Sequence, residues 1–152
     1  MVKLDEIDIK ILNILQEDGR ISVAEIARQV KLASPSVHER ISKLEEEGII
    51  KGYTAILDAK KLGKDVTAFI GIKVNHALAS GDSVMNELMK IDSIVESHTV
   101  TGEDDILIKV KTENTSSLED ILNRIYSIKG VLNTITTVVL STALETLKIK
   151  IG

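Results

Sequence analysis

The stretch from Ser22 to Tyr53 constrains this chain more than any other, because its caps, apolar spacing and glycine stop predict two helices joined by a tight turn. Ser22 followed by Glu25 reads as a capping box, in which the hydroxyl accepts from the backbone near residue 25 and the carboxylate returns to the cap N–H. Ile26, Ala27 and Val30 then form an inner stripe, and Lys31-Leu32-Ala33 makes the turn. Ser34 is placed to cap a second helix, with Pro35 at its first position, where a missing N–H breaks no hydrogen bond. Val37, Ile41 and Leu44 share one face. The rest of that helix presents Ser34, Ser36, His38, Glu39, Arg40, Ser42 and Lys43, and Lys51 follows just beyond it. Short hydroxyls and longer charged groups of this kind suit phosphates and base edges. Gly48 ends the helix, because glycine enters the left-handed region without steric penalty, and Ile49 to Leu57 reads as a strand that starts a wing-like return.

Upstream, Leu4, Ile7, Ile11 and Leu15 recur at helical spacing behind Asp5, a natural N-cap, so a third helix can cover the apolar faces of the other two. Residues 1–48 are therefore expected to form a helix-turn-helix domain, and residues 49–65 a hinge strand and linker. From residue 66 the periodicity changes. Val66 to Val74 alternates as a strand; Asp82 to Met89 has helical spacing; Ile94 to Thr101 and Asp105 to Lys111 are two more strands. Ser116 to Glu119 reads as a capping box for a helix with Leu118, Ile121, Leu122, Ile125 and Ile128 inward, stopped by Gly130. Val131 to Leu140 is a final β-branched strand, and the tail from Leu147 to Ile151 alternates again as a possible edge strand.

The order βαββαβ is the ferredoxin-like arrangement, in which two helices cover one face of a four-stranded sheet. The fold class is thus α+β, with a winged helix-turn-helix domain followed by a ferredoxin-like domain over residues 66–152. The uncovered sheet face, carrying Val66, Ala68, Ile70 and Ile72 or their alternates, needs a partner, which predicts at least a dimer. An isologous pair would set two recognition helices on duplex DNA roughly one helical turn of ~34 Å, or a multiple, apart.

Composition bounds the rest. The chain has 152 residues, 43% of them hydrophobic, with no long apolar run and no signal-like start, so a cytoplasmic protein without a membrane partner is expected. It has no cysteine, which excludes disulfides, thiolate chemistry and cysteine-based zinc fingers. His38, His76 and His98 lack metal-ligand spacing, so no metal is expected. No nucleophile, base and orienting group stand together and no glycine-rich phosphate loop appears, which argues against an enzyme. The net charge of −4 is unusual for a DNA partner, since phosphates are neutralised by Lys and Arg. The first 61 residues carry 10 Lys and Arg against 11 Asp and Glu, so a single motif should bind weakly and tight binding needs several presented together.

The chain resembles the Lrp/AsnC (feast/famine) regulators over nearly its whole length. The resemblance rests on Leu4-Asp5, Asp8 and Ile11-Leu12, on Gly19-Arg20-Ile21-Ser22, on Glu25-Ile26-Ala27, and on Ser36-Val37, Arg40-Ile41, Leu44-Glu45, Gly48-Ile49-Ile50 and Gly52-Tyr53. It implies a transcription regulator that binds double-stranded DNA through residues 34 to 47. It also implies sheet-to-sheet homodimers that assemble into an octamer or another higher oligomer, with a small amino acid bound between dimers.

The family places that effector at a Gly-x-x-Asp turn and at the last strand. Here the turn is Thr101-Gly102-Glu103-Asp104-Asp105, preceded by His98, Thr99 and Val100, while Asn133, Thr134, Ile135, Thr136 and Thr137 would close the site from a neighbouring subunit. A glycine lets backbone N–H groups approach a carboxylate, and an acid such as Asp105 can hold an α-ammonium. Many relatives carry an aromatic residue where this chain has Asp104, which favours a polar or basic amino acid over leucine. The same turn and Thr-rich strand are also ordinary β structure. A second reading therefore stays open: an architectural, chromatin-like DNA-binding protein that needs no effector, and no cofactor is expected in either case.

Overall fold

The computed structural model describes residues 3–152, and the chain divides into two compact units, residues 1–56 with 145–152 and residues 57–144. In the first unit, α1 (Glu6–Glu17), α2 (Val23–Val30) and α3 (Ser34–Glu46) enclose a core of Ile11, Ile26, Ala27, Val37 and Ile41. Asp5 caps α1 as expected and does so reciprocally: its carboxylate accepts from the Ile7 and Asp8 N–H groups at 2.9 and 2.8 Å, while Asp8 accepts from the Asp5 N–H at 3.1 Å.

The caps of α2 and α3 differ from expectation. Ser22 Oγ does accept from Glu25 N–H at 3.2 Å, but the Glu25 carboxylate does not return to the cap. Arg28 and Gln29, one turn on, take it instead, with Arg28 at 2.5 and 2.9 Å and Gln29 at 3.0 Å. At α3 the residue preceding the helix is Ala33, with no side-chain cap, and Ser34 is already helical. Pro35 is still tolerated, because the first N–H groups of a helix have no internal partner. Lys31 makes the turn in the left-handed region at φ 57°, and Leu32 N–H reaches Ala27 O at 3.0 Å. Gly48, at φ 69°, ends α3 in a Schellman arrangement, with Gly48 N–H on Glu45 O and Ile49 N–H on Leu44 O, both at 2.9 Å.

Residues 49–57, expected as a strand, pair with no strand among the described residues. The tail is not an edge strand either. It lies along α1, where the Gln16 amide donates to Ile149 O at 3.0 Å and accepts from Ile149 N–H at 2.6 Å, and Lys148 pairs with Glu17 at 2.7 Å.

The second unit has β1 (Val66–Val74), α4 (Gly81–Leu88), β2 (Ile94–Thr99), β3 (Ile106–Thr112), α5 (Thr115–Tyr126) and β4 (Val131–Val138). The sheet is antiparallel in the order β2-β3-β1-β4, so β1 and β3 are central. Ala68, Ile70, Ile72 and Val74 of β1 pack with Ile106, Ile108 and Val110 of β3 beneath Val84 and Leu88 of α4 and Leu118, Ile121 and Ile125 of α5. That alternation decides which β1 residues the uncovered face carries. They are Thr67, Phe69, Gly71 and Lys73, not Ala68, Ile70 and Ile72. The cap of α5 also moves, from Ser116 to Asn114, whose Oδ1 accepts from Ser117 N–H at 2.9 Å. Asn and Ser cap about equally well, and Asn114 lies two residues earlier, so the helix starts sooner.

Candidate nucleic-acid interface and effector site

Helix α3 is held from below by Val37, Ile41 and Leu44, which are all buried. The side chains of Ser34, Ser36, His38, Glu39 and Lys43 are exposed, Ser42 is half-buried, and Lys51 is exposed beyond the helix. Tyr53 donates its hydroxyl to Glu45 at 3.0 Å; burial and that carboxylate push the phenol up to about 12. Arg40 behaves differently from its neighbours. Its Nη1 lies 2.7 Å from Asp5 Oδ2 and 2.6 Å from Asp8 Oδ1, so a guanidinium expected to face outward is folded onto the start of α1. The Asp8 N–H, and next Arg40, hold the Asp5 carboxyl below its usual range, and the two acids push the Arg40 guanidinium higher still.

In the second unit, the turn between β2 and β3 folds back on β1. Asp105 N–H donates to Ile72 O at 3.0 Å, and Asp105 Oδ2 accepts from Val74 N–H at 2.7 Å. Its other oxygen faces His76 Nε2 at 3.5 Å. The Val74 N–H is the main reason the Asp105 carboxyl lies below its ordinary value. Gly102 takes a positive φ of 125° at the tip of the turn. Asp104 lies over Gly71, where a β-carbon would collide with its carboxylate, and Lys73 Nζ donates to Glu103 O.

Strand register fixes which of the expected effector residues meet. Asn133, Ile135 and Thr137 are opposite Lys73, Gly71 and Phe69, on the uncovered face with the turn. Thr134 and Thr136 are opposite Ile72 and Ile70, on the other face, and Thr134 Oγ1 donates to Tyr126 Oη at 2.7 Å. His98, opposite Leu107, is on the uncovered face with Glu96 at 3.6 Å, while Thr99 is opposite the buried Ile106. Val100 N–H closes the turn onto Asp105 O at 3.0 Å, and Thr101 and Glu103 are exposed. Gly71 and Lys73, which join the turn to β4, were not singled out from sequence. A glycine inside a β pattern was the available signal, since it marks a close approach.

A three-helix unit with an exposed second motif helix, followed by a four-stranded α+β unit, defines a helix-turn-helix DNA-binding regulator. Residues 4–51 match the winged helix-turn-helix DNA-binding family and residues 67–149 match the Lrp/AsnC ligand binding domain. The chain belongs to the Lrp/AsnC family of transcriptional regulators. It is 44% identical to the HTH-type transcriptional regulator FL11 of Pyrococcus horikoshii, over 99% of this chain and 98% of that one. The solved structure of E. coli AsnC is similar at a TM-score of 0.88 and 30% identity, covering 97% of this chain and 99% of that one. A transcriptional regulator of Neisseria meningitidis, solved as a complex with L-Met, is similar at a TM-score of 0.91 and 26% identity, with 97% of each chain covered. These relatives are transcription regulators and not enzymes. Among the described residues, no helix is long and apolar enough to cross a membrane.

Proposed function

We propose that the protein is a sequence-specific cytoplasmic regulator whose assembly and DNA affinity respond to a small amino acid bound between dimers. In this reading α3 is the recognition helix, with Ser34, Ser36, His38, Glu39, Ser42 and Lys43 facing the groove and Lys51 beside it. The observation that carries the effector half is the convergence of the 101–105 turn with Asn133 and Ile135 across Gly71 and Lys73 on one sheet face. An amino acid seated there meets backbone N–H groups near Gly102, carboxylates at Asp104 and Asp105, and an ammonium at Lys73. The acid at position 104 favours a polar or basic side chain. Phe69 and Ile135 are 37% and 56% exposed on the same face, in keeping with a sheet-to-sheet homodimer and further assembly to an octamer or another higher oligomer.

Thermal shift against the twenty amino acids, followed by calorimetry and sedimentation with and without operator DNA, tests this. Coupling of about 1–3 kcal/mol is expected, and it must be reciprocal: DNA changes ligand affinity by the factor by which ligand changes DNA affinity. If saturating amino acid moves neither assembly nor DNA affinity, the effector-free architectural reading replaces this one. The engagement of Asp105 by Val74 N–H is the observation that favours that alternative, because it ties up one oxygen of the expected ammonium partner.

A further inference from the structure

Arg40 is at the centre of α3 and, by residue type, is the obvious phosphate ligand on that helix. Its geometry argues otherwise. One terminal nitrogen is shared by two carboxylates at 2.7 and 2.6 Å, and the same two carboxylates form the reciprocal cap of α1. The guanidinium therefore ties the first turn of α1 to the middle of α3. Two acids around one cation leave the cluster with a net charge of −1, so a phosphate approaching it meets no unneutralised positive charge. To bind DNA directly, Arg40 would have to abandon both acids, and Asp5 and Asp8 would then repel the same phosphate.

We infer that Arg40 is a positioning residue, which sets the roll of α3 on α1 through the Asp5–Asp8 cap and so aims Ser36 and Lys43, rather than a DNA contact. The inference rests on α3 being the recognition helix. It predicts a result whose sign opposes simple electrostatics. Asp5→Asn with Asp8→Asn removes two negative charges beside α3, and Asn remains a good N-cap, so a purely electrostatic account requires tighter DNA binding. If Arg40 acts by positioning, the double variant binds more weakly.

The experiment measures operator affinity against salt concentration for wild type, Arg40→Gln, Arg40→Lys, the Asp5→Asn/Asp8→Asn pair, the triple combination, Lys43→Ala and Ser36→Ala, with thermal midpoints alongside. The expected results are a several-fold loss of affinity for Arg40→Gln at an unchanged salt slope, partial recovery in Arg40→Lys, and a loss for the Asn pair that Arg40→Gln does not deepen. A salt slope lowered by about 0.9 in Arg40→Gln, or tighter binding by the Asn pair, overturns the inference. Should Arg40→Gln fail to fold, the Asn pair still decides by the direction of its change. Wild-type binding by Lys43→Ala and by Ser36→Ala instead defeats the reading of α3 as the recognition helix, and with it the inference.

Discussion

Asp104 lies over Gly71, on the sheet face that the helices leave open, and its carboxylate occupies the space that a β-carbon at residue 71 would take. Asp105 ties the 101–105 turn to this central strand, and the missing β-carbon at residue 71 leaves room for the Asp104 carboxylate against it. Gly71→Ala should push the Asp104 carboxylate aside, and because that group is the free end of a partly exposed side chain the cost should stay below the roughly 1–3 kcal/mol of overpacking a core. Gly71→Ala combined with Asp104→Ala should recover much of that loss, because the colliding carboxylate is gone. Denaturant melts of the two single variants and the pair measure the interaction, and simple additivity would show that the contact is not the cause.

Asp105 has a structural task besides any part in ligand binding. Val74 is 4% exposed and its N–H has Asp105 Oδ2 as an acceptor, so Asp105→Ala should leave a buried donor unpaired at a cost of about 1–3 kcal/mol. Asp105→Asn keeps an oxygen for Val74 but loses the charge. If the acid also holds an effector ammonium, Asp105→Asn melts near wild type while its amino-acid heat in calorimetry disappears. Equal ligand affinity in the Asn variant would confine Asp105 to the structural task.

Long periodic segments and their stops were readable from sequence. The stripes of α1, α2 and α3, the β1 bounds at Val66 and Val74, and the glycine stop at Gly48 all follow from spacing that tertiary packing only reinforces. Caps were less readable, since neighbouring polar residues compete: Asn114 preceded Ser116, and Arg28 with Gln29 took the Glu25 carboxylate from its box. The Ile49 to Leu57 strand failed for a different reason, because a strand needs an adjacent strand and β propensity does not reveal whether one is present. At the candidate effector site the turn was legible, but its neighbours were not. Which of Asn133 to Thr137 share its face depends on register, and the β1–β4 ladder shifts at Lys73 and Val74.

The three-helix unit should lose stability in acid through Asp5. Its folded carboxyl lies below the ordinary 3.8, held there by the Asp8 N–H and by Arg40. A depressed carboxyl contributes stability above its unfolded value and loses that contribution as pH falls through its folded value. The expected loss therefore begins near pH 4 and continues downward. Thermal midpoints of wild type and Asp5→Asn should converge below pH 4 and separate above it; a constant difference across that range would contradict the linkage.

Lys31 holds the left-handed turn conformation that costs a residue with a β-carbon about 1–2 kcal/mol. Lys31→Gly removes that strain but adds backbone freedom to the unfolded chain, worth roughly 0.5–1 kcal/mol in the other direction. A small net gain in stability is expected, read as a higher denaturant midpoint with an unchanged slope. A lower midpoint would mean that Lys31 makes a contact worth more than its strain.

The C-terminal tail is tied to α1 by a side chain that imitates a strand. The Gln16 amide gives Ile149 both an acceptor and a donor, at 2.6 and 3.0 Å, the pairing a β neighbour would supply, and the Lys148–Glu17 ion pair beside it is exposed and contributes little. Gln16→Ala should therefore release the tail while leaving the three-helix core intact, whereas Lys148→Ala should not. Hydrogen exchange at the Ile149 amide is the direct measurement: protection should vanish in Gln16→Ala and persist in Lys148→Ala, with the Ile11 and Val37 amides unchanged in both. Gln16→Glu sharpens the comparison, because a carboxylate can still accept from Ile149 N–H but cannot donate to Ile149 O. It should keep part of the protection; full loss in Gln16→Glu, matching Gln16→Ala, would mean that the donated bond and not the accepted one fixes the tail.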